Sequence, residues 1–438
     1  MENEPAHKKL VGHKNFVRHN PKTDLWKNKR FHHVEFYCGD ATSVSRRFAL
    51  GLGMTLVAKS DLSTGNATYA SYVYRSNDIV FTFTAPYSTK LEKSHSQPPF
   101  PHFDQQYAYD FFQKHGLAVR AMGVKVADAA EAYKKAVEHG GKGVLEPLTM
   151  TDEHGTAVVS EIELFGDVVL RFVSDDGYKG PFLPKYEPVN GRPLCYGLQR
   201  LDHAVSNVPK LLEAVDYLAT ATGFHKFAEF TAEDVGTVDS GLNSMVLASN
   251  NEMVILPVNE PTFGTPRKSQ IQTYLEHNEG SGLQHLALKT DDIFSTLRQM
   301  KAQSDWGFEF MDSPGKGYYE RLPARIGDIL TPEQYKEVEE LAILVDKDDQ
   351  GTLLQIFTKP LGDRPTIFIE IIQRLGCNIT KKKKVEEEGK LVEKEVVMQK
   401  GGCGGFGKGN FAELFKSIED YERTLDKALG PSSSSSSS

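Results

Sequence analysis

One short pattern recurs along this chain and limits its fold more than any other feature. Leu201-Asp202-His203-Ala204-Val205 precedes a helical run that begins Val208-Pro209-Lys210-Leu211-Leu212, and Leu283-Gln284-His285-Leu286-Ala287 precedes one that begins Asp291-Asp292-Ile293-Phe294. In both runs apolar residues recur three and four apart, the spacing of an amphipathic helix. Phe31-His32-His33-Val34-Glu35-Phe36 followed by Ser43-Val44-Ser45-Arg46-Arg47-Phe48 has the same form, as does Met122-Gly123-Val124-Lys125-Val126 ahead of residues 127–137. These are four copies of one strand–helix–strands unit, βαβββ. A unit this small cannot bury its apolar face without a neighbour. The repeat therefore predicts an α+β fold of two barrels, each built from two units.

The closing strands support the grouping. Val168-Val169-Leu170-Arg171-Phe172-Val173 ends the first half as Ile367-Phe368-Ile369-Glu370-Ile371-Ile372 ends the second. Glu370 interrupts an apolar run, where an unpaired charge is costly to bury, so it needs a cation or a positive partner. The first half has Arg171 at the aligned place and Ala121 at the place of His285, although His33 still matches His203. On this alignment only the second barrel keeps a full ligand set, and the first is degenerate and metal-free. His203, His285 and Glu370, on separate strands of one barrel, form a facial triad that leaves about three positions of an octahedral metal open. Substrate and dioxygen can then bind together. Imidazole and carboxylate ligands without a thiolate favour Fe(2+), with Mn(II) or Co(II) as alternatives, whereas zinc is more usually held tetrahedrally.

A chain of 438 residues with 39% hydrophobic content can form two domains with cores of their own. Its formal net charge of −8 argues against nucleic acid as a partner, which would need a basic face. No apolar run is long enough to span a membrane. Cys38, Cys195, Cys377 and Cys403 show no metal-ligand spacing and are expected to be reduced structural thiols. Residues 1–9 lack the apolar stretch of a secretory signal, which makes the cytoplasm the expected compartment. The punctuation predicts an N-terminal arm over 1–29, the first barrel over 30–175, a Gly/Pro-rich linker over 176–197 and the metal-binding barrel over 198–375. Residues 376–400, with lysines then glutamates crowded together, are expected to form a solvated charged loop or ribbon.

The run Gly401-Gly402-Cys403-Gly404-Gly405-Phe406-Gly407-Lys408-Gly409-Asn410-Phe411 invites a phosphate-loop reading. Gly409 stands where such a loop needs Ser or Thr, and no buried strand is expected to precede it. Glycine here serves instead to bend the backbone tightly against a neighbouring site. Asn410, with Glu413 three residues on, is placed to cap the next helix, and Phe411, Leu414, Phe415, Ile418, Tyr421 and Leu425 form its apolar stripe. Gly430 and Pro431 stop it, so the glycine-rich loop and helix occupy 401–430. The serine tail, 431–438, is low complexity and expected to be disordered.

The phrases around His203, His285 and Glu370, together with the glycine-rich run, resemble the 4-hydroxyphenylpyruvate dioxygenases of plants over nearly the whole chain. The resemblance implies two vicinal-oxygen-chelate barrels with the C-terminal helix as a lid over the metal pocket. It implies Fe(2+) as cofactor, 4-hydroxyphenylpyruvate and dioxygen as substrates, homogentisate and carbon dioxide as products, and a homodimer. Tyrosine catabolism, and in plants the supply of precursor for plastoquinone and tocopherol, would be its setting. Carried over residue by residue, Ser244, Asn259 and Gln270 line the phenol end of the substrate. Gln284 and Gln355, with Gln270, supply catalytic amides, and Phe357, Phe368, Phe406 and Phe411 form aromatic walls. Three alternatives stay open: a hydroxymandelate synthase-like oxygenase with the same substrate and triad, an extradiol ring-cleaving dioxygenase acting on a catechol, and a non-catalytic binding protein of the same fold.

Overall fold

Each of the four repeated phrases becomes a strand followed by a helix in a computed structural model, which describes residues 10–90, 98–235, 241–387 and 390–429. The first half runs β1 (Asn28–Tyr37), α1 (Ala41–Leu52), β2 (Thr55–Ser60), β3 (Tyr69–Ser76), β4 (Ile79–Pro86), α2 (Gln105–His115), β5 (Ala118–Val126), α3 (Ala129–Glu138), β6 (Gly143–Asp152), β7 (Gly155–Phe165) and β8 (Val168–Ser174). A short β9 (Glu187–Pro188) precedes the second half. That half runs β10 (Leu198–Asn207), α4 (Leu211–Thr222), β11 (His225–Phe230), α5 (Ala232–Val235), β12 (Leu242–Ala248), β13 (Ile255–Pro261), α6 (Gln270–His277), β14 (Gly282–Thr290), α7 (Ile293–Lys301), α8 (Lys316–Ile326), α9 (Pro332–Glu340), β15 (Leu344–Lys347), β16 (Gly351–Phe357) and β17 (Phe368–Gly376).

The units pair within each half to form two curled sheets, of order β6-β7-β8-β5-β1-β4-β3-β2-β9 and β11-β12-β13-β10-β14-β17-β16-β15. In both, the first strands of the two units meet antiparallel at the centre, and each runs parallel to the last strand of its own unit. Asp40, Asp128 and Asp292 cap α1, α3 and α7 by accepting from their first-turn amides. In the third unit Lys210 stands at the cap position, and the free Leu211 amide donates to Glu260 on β13 at 2.7 Å. One apolar core runs through both halves, and Phe308 of the second closes on Gly51 of α1, where a Cβ would come within 2.7 Å of its ring.

The register aligns the two halves residue for residue. His33 faces Gly123 and Gly123 faces Arg171, as His203 faces Ala287 and Ala287 faces Glu370. Two residues before Gly123 lies Ala121, the counterpart of His285. In the first sheet the central position is taken by the Arg171 guanidinium, which donates to Glu35 and Glu161 at 2.7 Å each and lies 2.9 Å from Nε2 of His33. Burial, with Arg171 and His32 nearby, holds the His33 pKa well below the usual histidine range, so its ring is neutral.

Residues 10–25 cross to the second sheet. The Asn250 amide donates to Asp24, and Arg18 pairs with Glu252 at 2.5 Å. The linker segment is irregular but packs down, with Phe182, Leu183 and Tyr186 in a core of the first half and β9 on the edge of β2. The charged segment takes the ribbon form of the two expected, β18 (Asn378–Glu387) pairing with β19 (Lys390–Gln399). Its ladder pairs Asn378 with Gln399 and so returns the chain to its starting point, setting Cys403 beside Cys377 with their Cα atoms 5.9 Å apart. The two form a disulfide, which corrects the expectation that all four thiols are reduced; Cys38 and Cys195 are free. A 26-residue separation gives no local sign of such a contact. The C-terminal helix expected to act as a lid is α10 (Phe411–Leu429), preceded by a 3-10 turn at Lys408–Asn410. Asn410 is turned inward, its Oδ1 accepting from the Tyr318 hydroxyl at 2.8 Å. The expected helix stop at 430 and 431, the serine tail and residues 1–9 lie outside the described residues.

Arg171→Met should destabilise the chain by about 3–5 kcal/mol, because it leaves Glu35 and Glu161 buried without their counter-ion. Urea unfolding measures this, and a loss under about 1 kcal/mol would mean that the cluster is dispensable.

Candidate metal centre

β10, β14 and β17 lie side by side in the second sheet, and His203, His285 and Glu370 project from them into one pocket. Nε2 of His203 is 3.2 Å and Nε2 of His285 is 3.4 Å from Oε2 of Glu370. The three side chains are buried, and their ligand atoms all lie within 4.8 Å of one another. Among the described residues this is the one group of three or more potential ligands that meets that distance.

Each histidine follows a bulged residue. Leu201 pairs with Leu288 and His203 with Ala287, which leaves Asp202 over; Val205 pairs with His285 and Ser206 with Leu283, which leaves Gln284 over. A bulge re-aims the side chain that it displaces. Here Asp202 Oδ1 accepts from Nδ1 of His203, and Gln284 Oε1 from Nδ1 of His285, both at 3.0 Å. With Nδ1 protonated, Nε2 of each ring is left as a metal donor. The first sheet carries the same bulges, at His32 and Arg120, without the ligand set.

Burial opposes charge on all three ligands, and their neighbours decide the outcome. For Glu370 the two imidazoles outweigh burial and hold the carboxyl down at about 2. His203, between Asp202 and Glu370, has its pKa raised despite burial, whereas burial keeps that of His285 lowered. Asp202 is itself buried, and Arg374 and Arg200 hold its pKa well below the usual carboxylate range. Two imidazole nitrogens and one carboxylate oxygen, converging with no thiolate and no protein cation among them, suit a divalent metal of the Fe, Mn or Co type.

The pocket above the triad has a polar and an aromatic side. Ser244 and Asn259 face each other across β12 and β13, and Asn259 Nδ2 donates to Asn207 Oδ1 at 3.2 Å. Gln270 opens α6 behind its Ser269 cap, and both polar atoms of its buried amide lack a partner. Such a group is costly unless a ligand satisfies it. Phe357, Phe406 and Phe411 line the other side with Leu414 and Phe415, and Phe406 stands edge-on to His203 at 5.3 Å. The cavity left between them is about 50 Å³. Phe368 lies behind the pocket, stacked on His285 at 4.9 Å. Gln355 is covered by the glycine-rich loop, where a Cβ on Gly407, at φ +74°, would fall 2.2 Å from its Oε1. Of the expected residues, then, Ser244, Asn259, Gln270, Gln284, Phe357, Phe406 and Phe411 meet the cavity, while Phe368 and Gln355 stand beside it. Sequence reading missed Asp202, Asn207, Phe230 and Arg374. A polar residue before each ligand histidine was the available sign for Asp202, but nothing local marks the others.

Residues 200–336 match the family described as the Glyoxalase/Bleomycin resistance protein/Dioxygenase superfamily, a span that holds both histidines and ends before Glu370. The chain is 59% identical over 433 residues to 4-hydroxyphenylpyruvate dioxygenase of Plectranthus scutellarioides, covering 97% of this chain and 96% of that protein. It is 58% identical over 429 residues to the enzyme of that name from Arabidopsis thaliana, covering 95% and 93%. Among solved structures, a triple mutant of 4-hydroxymandelate synthase from Streptomyces coelicolor superposes with a TM-score of 0.71 over 90% of this chain and 99% of that one. At 21% identity, that is a likeness of fold alone.

A metal must displace the proton that Asp202 and Glu370 favour on His203. Apparent Co(II) affinity should therefore fall as pH drops, starting above the ordinary histidine value near 6.5 and steepening to about tenfold per pH unit. Co(II) absorption titrations between about pH 8 and pH 6 test this, and a flat affinity would contradict the assignment of His203.

Proposed function

The chain belongs to the 4-hydroxyphenylpyruvate dioxygenase family, and on that premise we propose that its second half converts 4-hydroxyphenylpyruvate and dioxygen to homogentisate and carbon dioxide, with Fe(2+) held by His203, His285 and Glu370. The observation that carries the reading is a buried His/His/Glu triad opening into a cavity walled by aromatic rings and roofed by α10. When bound, the iron supplies the redox chemistry that activates dioxygen, and its open positions suit a 2-oxo acid, whose carboxylate and keto oxygens form a chelating pair.

The side chains around the triad bind, orient and exclude water. Ser244, Asn259 and Gln270 offer hydrogen bonds to the phenol end, and the unpartnered amide of Gln270 has the most to gain from a polar ligand. Phe357 and Phe411 supply apolar faces for the ring, while Phe406 walls off His203. Phe368 fixes the plane of His285 by stacking on it. Gln284 lines the cavity and also orients His285, and Gln355 holds its amide at the margin beneath Gly407.

A cavity of about 50 Å³ is too small for this substrate beside a metal, since a single water needs roughly 10–15 Å³ on such a measure. The rings of α10 must therefore swing away to admit it and return to exclude water. Family membership also supports a homodimer, a cytoplasmic setting and a role in tyrosine breakdown, with plastoquinone and tocopherol supply where a plant pathway draws on homogentisate. Among the described residues no helix is long and apolar enough to cross a membrane.

Anaerobic loading with Fe(II), followed by 4-hydroxyphenylpyruvate in air with oxygen uptake and product chromatography, tests the reading. Homogentisate from the parent chain and none from Glu370→Ala is the expected pair of results. Hydroxymandelate as the product would move the reaction to the benzylic carbon, and no oxygen uptake with iron bound would leave a binding role. Gln355→Ala should lower turnover by about 10- to 100-fold while iron stays bound; unchanged turnover would remove Gln355 from the site.

A further inference from the structure

We propose that Arg374 is a positioning residue that ties the glycine-rich loop to the metal ligand His203, so that loading of the metal and seating of the loop favour one another. The proposal rests on the metal assignment above and adds the device by which the second half couples its lid to that metal.

Arg374 lies on β17, four residues beyond Glu370, and its side chain is fully buried, as is that of Asp202. Nη2 donates to Asp202 Oδ1 at 2.7 Å, and Nε reaches both carboxylate oxygens at 3.2 Å. The other arm of the fork points away from Asp202. Nη1 donates to the carbonyls of Cys403 and Gly405, at 2.5 and 2.6 Å. The same Asp202 Oδ1 that takes Nη2 also accepts from Nδ1 of His203. A chain of three hydrogen bonds thus joins loop, guanidinium, carboxylate and ligand. Phe406, which follows the second of these carbonyls, is the ring set edge-on to His203.

Charge balance alone does not account for this arrangement. Arg200 already pairs with Asp202 Oδ2 at 2.9 Å, and neutralising a carboxylate does not require donors aimed at two loop carbonyls. The first half shows what the fold does without a lid. His32 and Asp175 occupy the places of Asp202 and Arg374 and pair at 3.2 Å with the polarity reversed. The linker after Asp175 sets Phe182 edge-on to His33 at 5.1 Å, much as Phe406 stands to His203, but the Asp175 side chain has no donors with which to tie it; the second half has at this position a five-donor fork that binds in two directions at once.

If the chain of bonds transmits orientation, it does so both ways, because coupling between two binding events is reciprocal. The test uses the full chain, with Co(II) as the metal probe and no turnover. Amide hydrogen exchange of residues 402–411 is measured with and without Co(II), alongside Co(II) affinity from its absorption bands. In the parent, Co(II) should slow exchange across 402–411. In Arg374→Lys, which keeps a positive charge but lacks the fork, exchange should be fast and unresponsive to Co(II), and Co(II) affinity should fall about 10- to 100-fold, the range for lost outer-sphere support. Asp202→Asn, which preserves shape, should break the same link and carries the test if Arg374→Lys does not fold by circular dichroism. Retention in the folded variant of both the Co(II)-dependent protection and an affinity within about twofold of the parent overturns the proposal. A parent that binds no Co(II) overturns it together with the metal assignment, whereas a parent that binds Co(II) but makes no homogentisate leaves the coupling standing and defeats only the reaction.

Discussion

Each sheet is organised around a buried position that needs a cation, and the rest of the structure depends on how that need is met. The register brings the same three strands together in both halves, and in both the central polar groups are cut off from water. In the first half the charge is covalent, since the Arg171 guanidinium satisfies Glu35, Glu161 and His33 at once. In the second, Glu370 converges with two imidazoles, and no lysine or arginine among the described residues lines their pocket. Burying a carboxylate among apolar strands is unfavourable in either case, so the two halves are alternative solutions of one electrostatic problem. One closes the position permanently and the other keeps it exchangeable. The chemistry proposed for the chain lies in the second half for that reason.

The bulges explain why the position can be built at all. In a regular strand consecutive side chains point to opposite faces, so a residue cannot support its immediate neighbour's side chain. An extra residue before each ligand histidine relaxes that rule, and Asp202 and Gln284 turn to hold the adjacent ring by Nδ1. The first sheet keeps both bulges although it has lost the ligands. The distortion therefore belongs to the shared unit, and the second half exploits it.

This difference also sets what could be read from sequence. The four units were legible because each writes its own helix period and closing strand locally. His203, His285 and Glu370 were legible because duplication made the odd residues stand out: a carboxylate where the other half has arginine, a histidine where it has alanine. The pocket side chains were legible only through resemblance to a family, since a serine or glutamine on a strand carries no sign of its own. The rest depends on contacts that close over long separations. The ribbon's ladder decides that Cys377 meets Cys403, and the path of the loop decides that Arg374 finds two carbonyls. Asn410 shows the converse, a good local cap signal overridden by a buried tyrosine hydroxyl.

The glycine-rich loop is consequently a fixed strap with an apolar end. Its root is held to β17 by Arg374 and to the residue just after that strand by the disulfide, and its middle lies so close to β16 that side chains at Gly404 and Gly407 would strike Thr352 and Gln355. Positive φ at Gly402, Gly404, Gly405 and Gly407 gives the backbone the turns that this path requires. Beyond Asn410 the attachment changes character, and α10 meets the pocket through Phe411, Leu414 and Phe415, whose contacts are apolar and non-directional. Hydrogen bonds and a disulfide hold one geometry, whereas apolar faces can separate and reseat. On the proposed reading, the opening that admits a substrate belongs to the α10 side of the pocket, and the loop side, tied through Asp202 to His203, keeps that histidine in register while it does so.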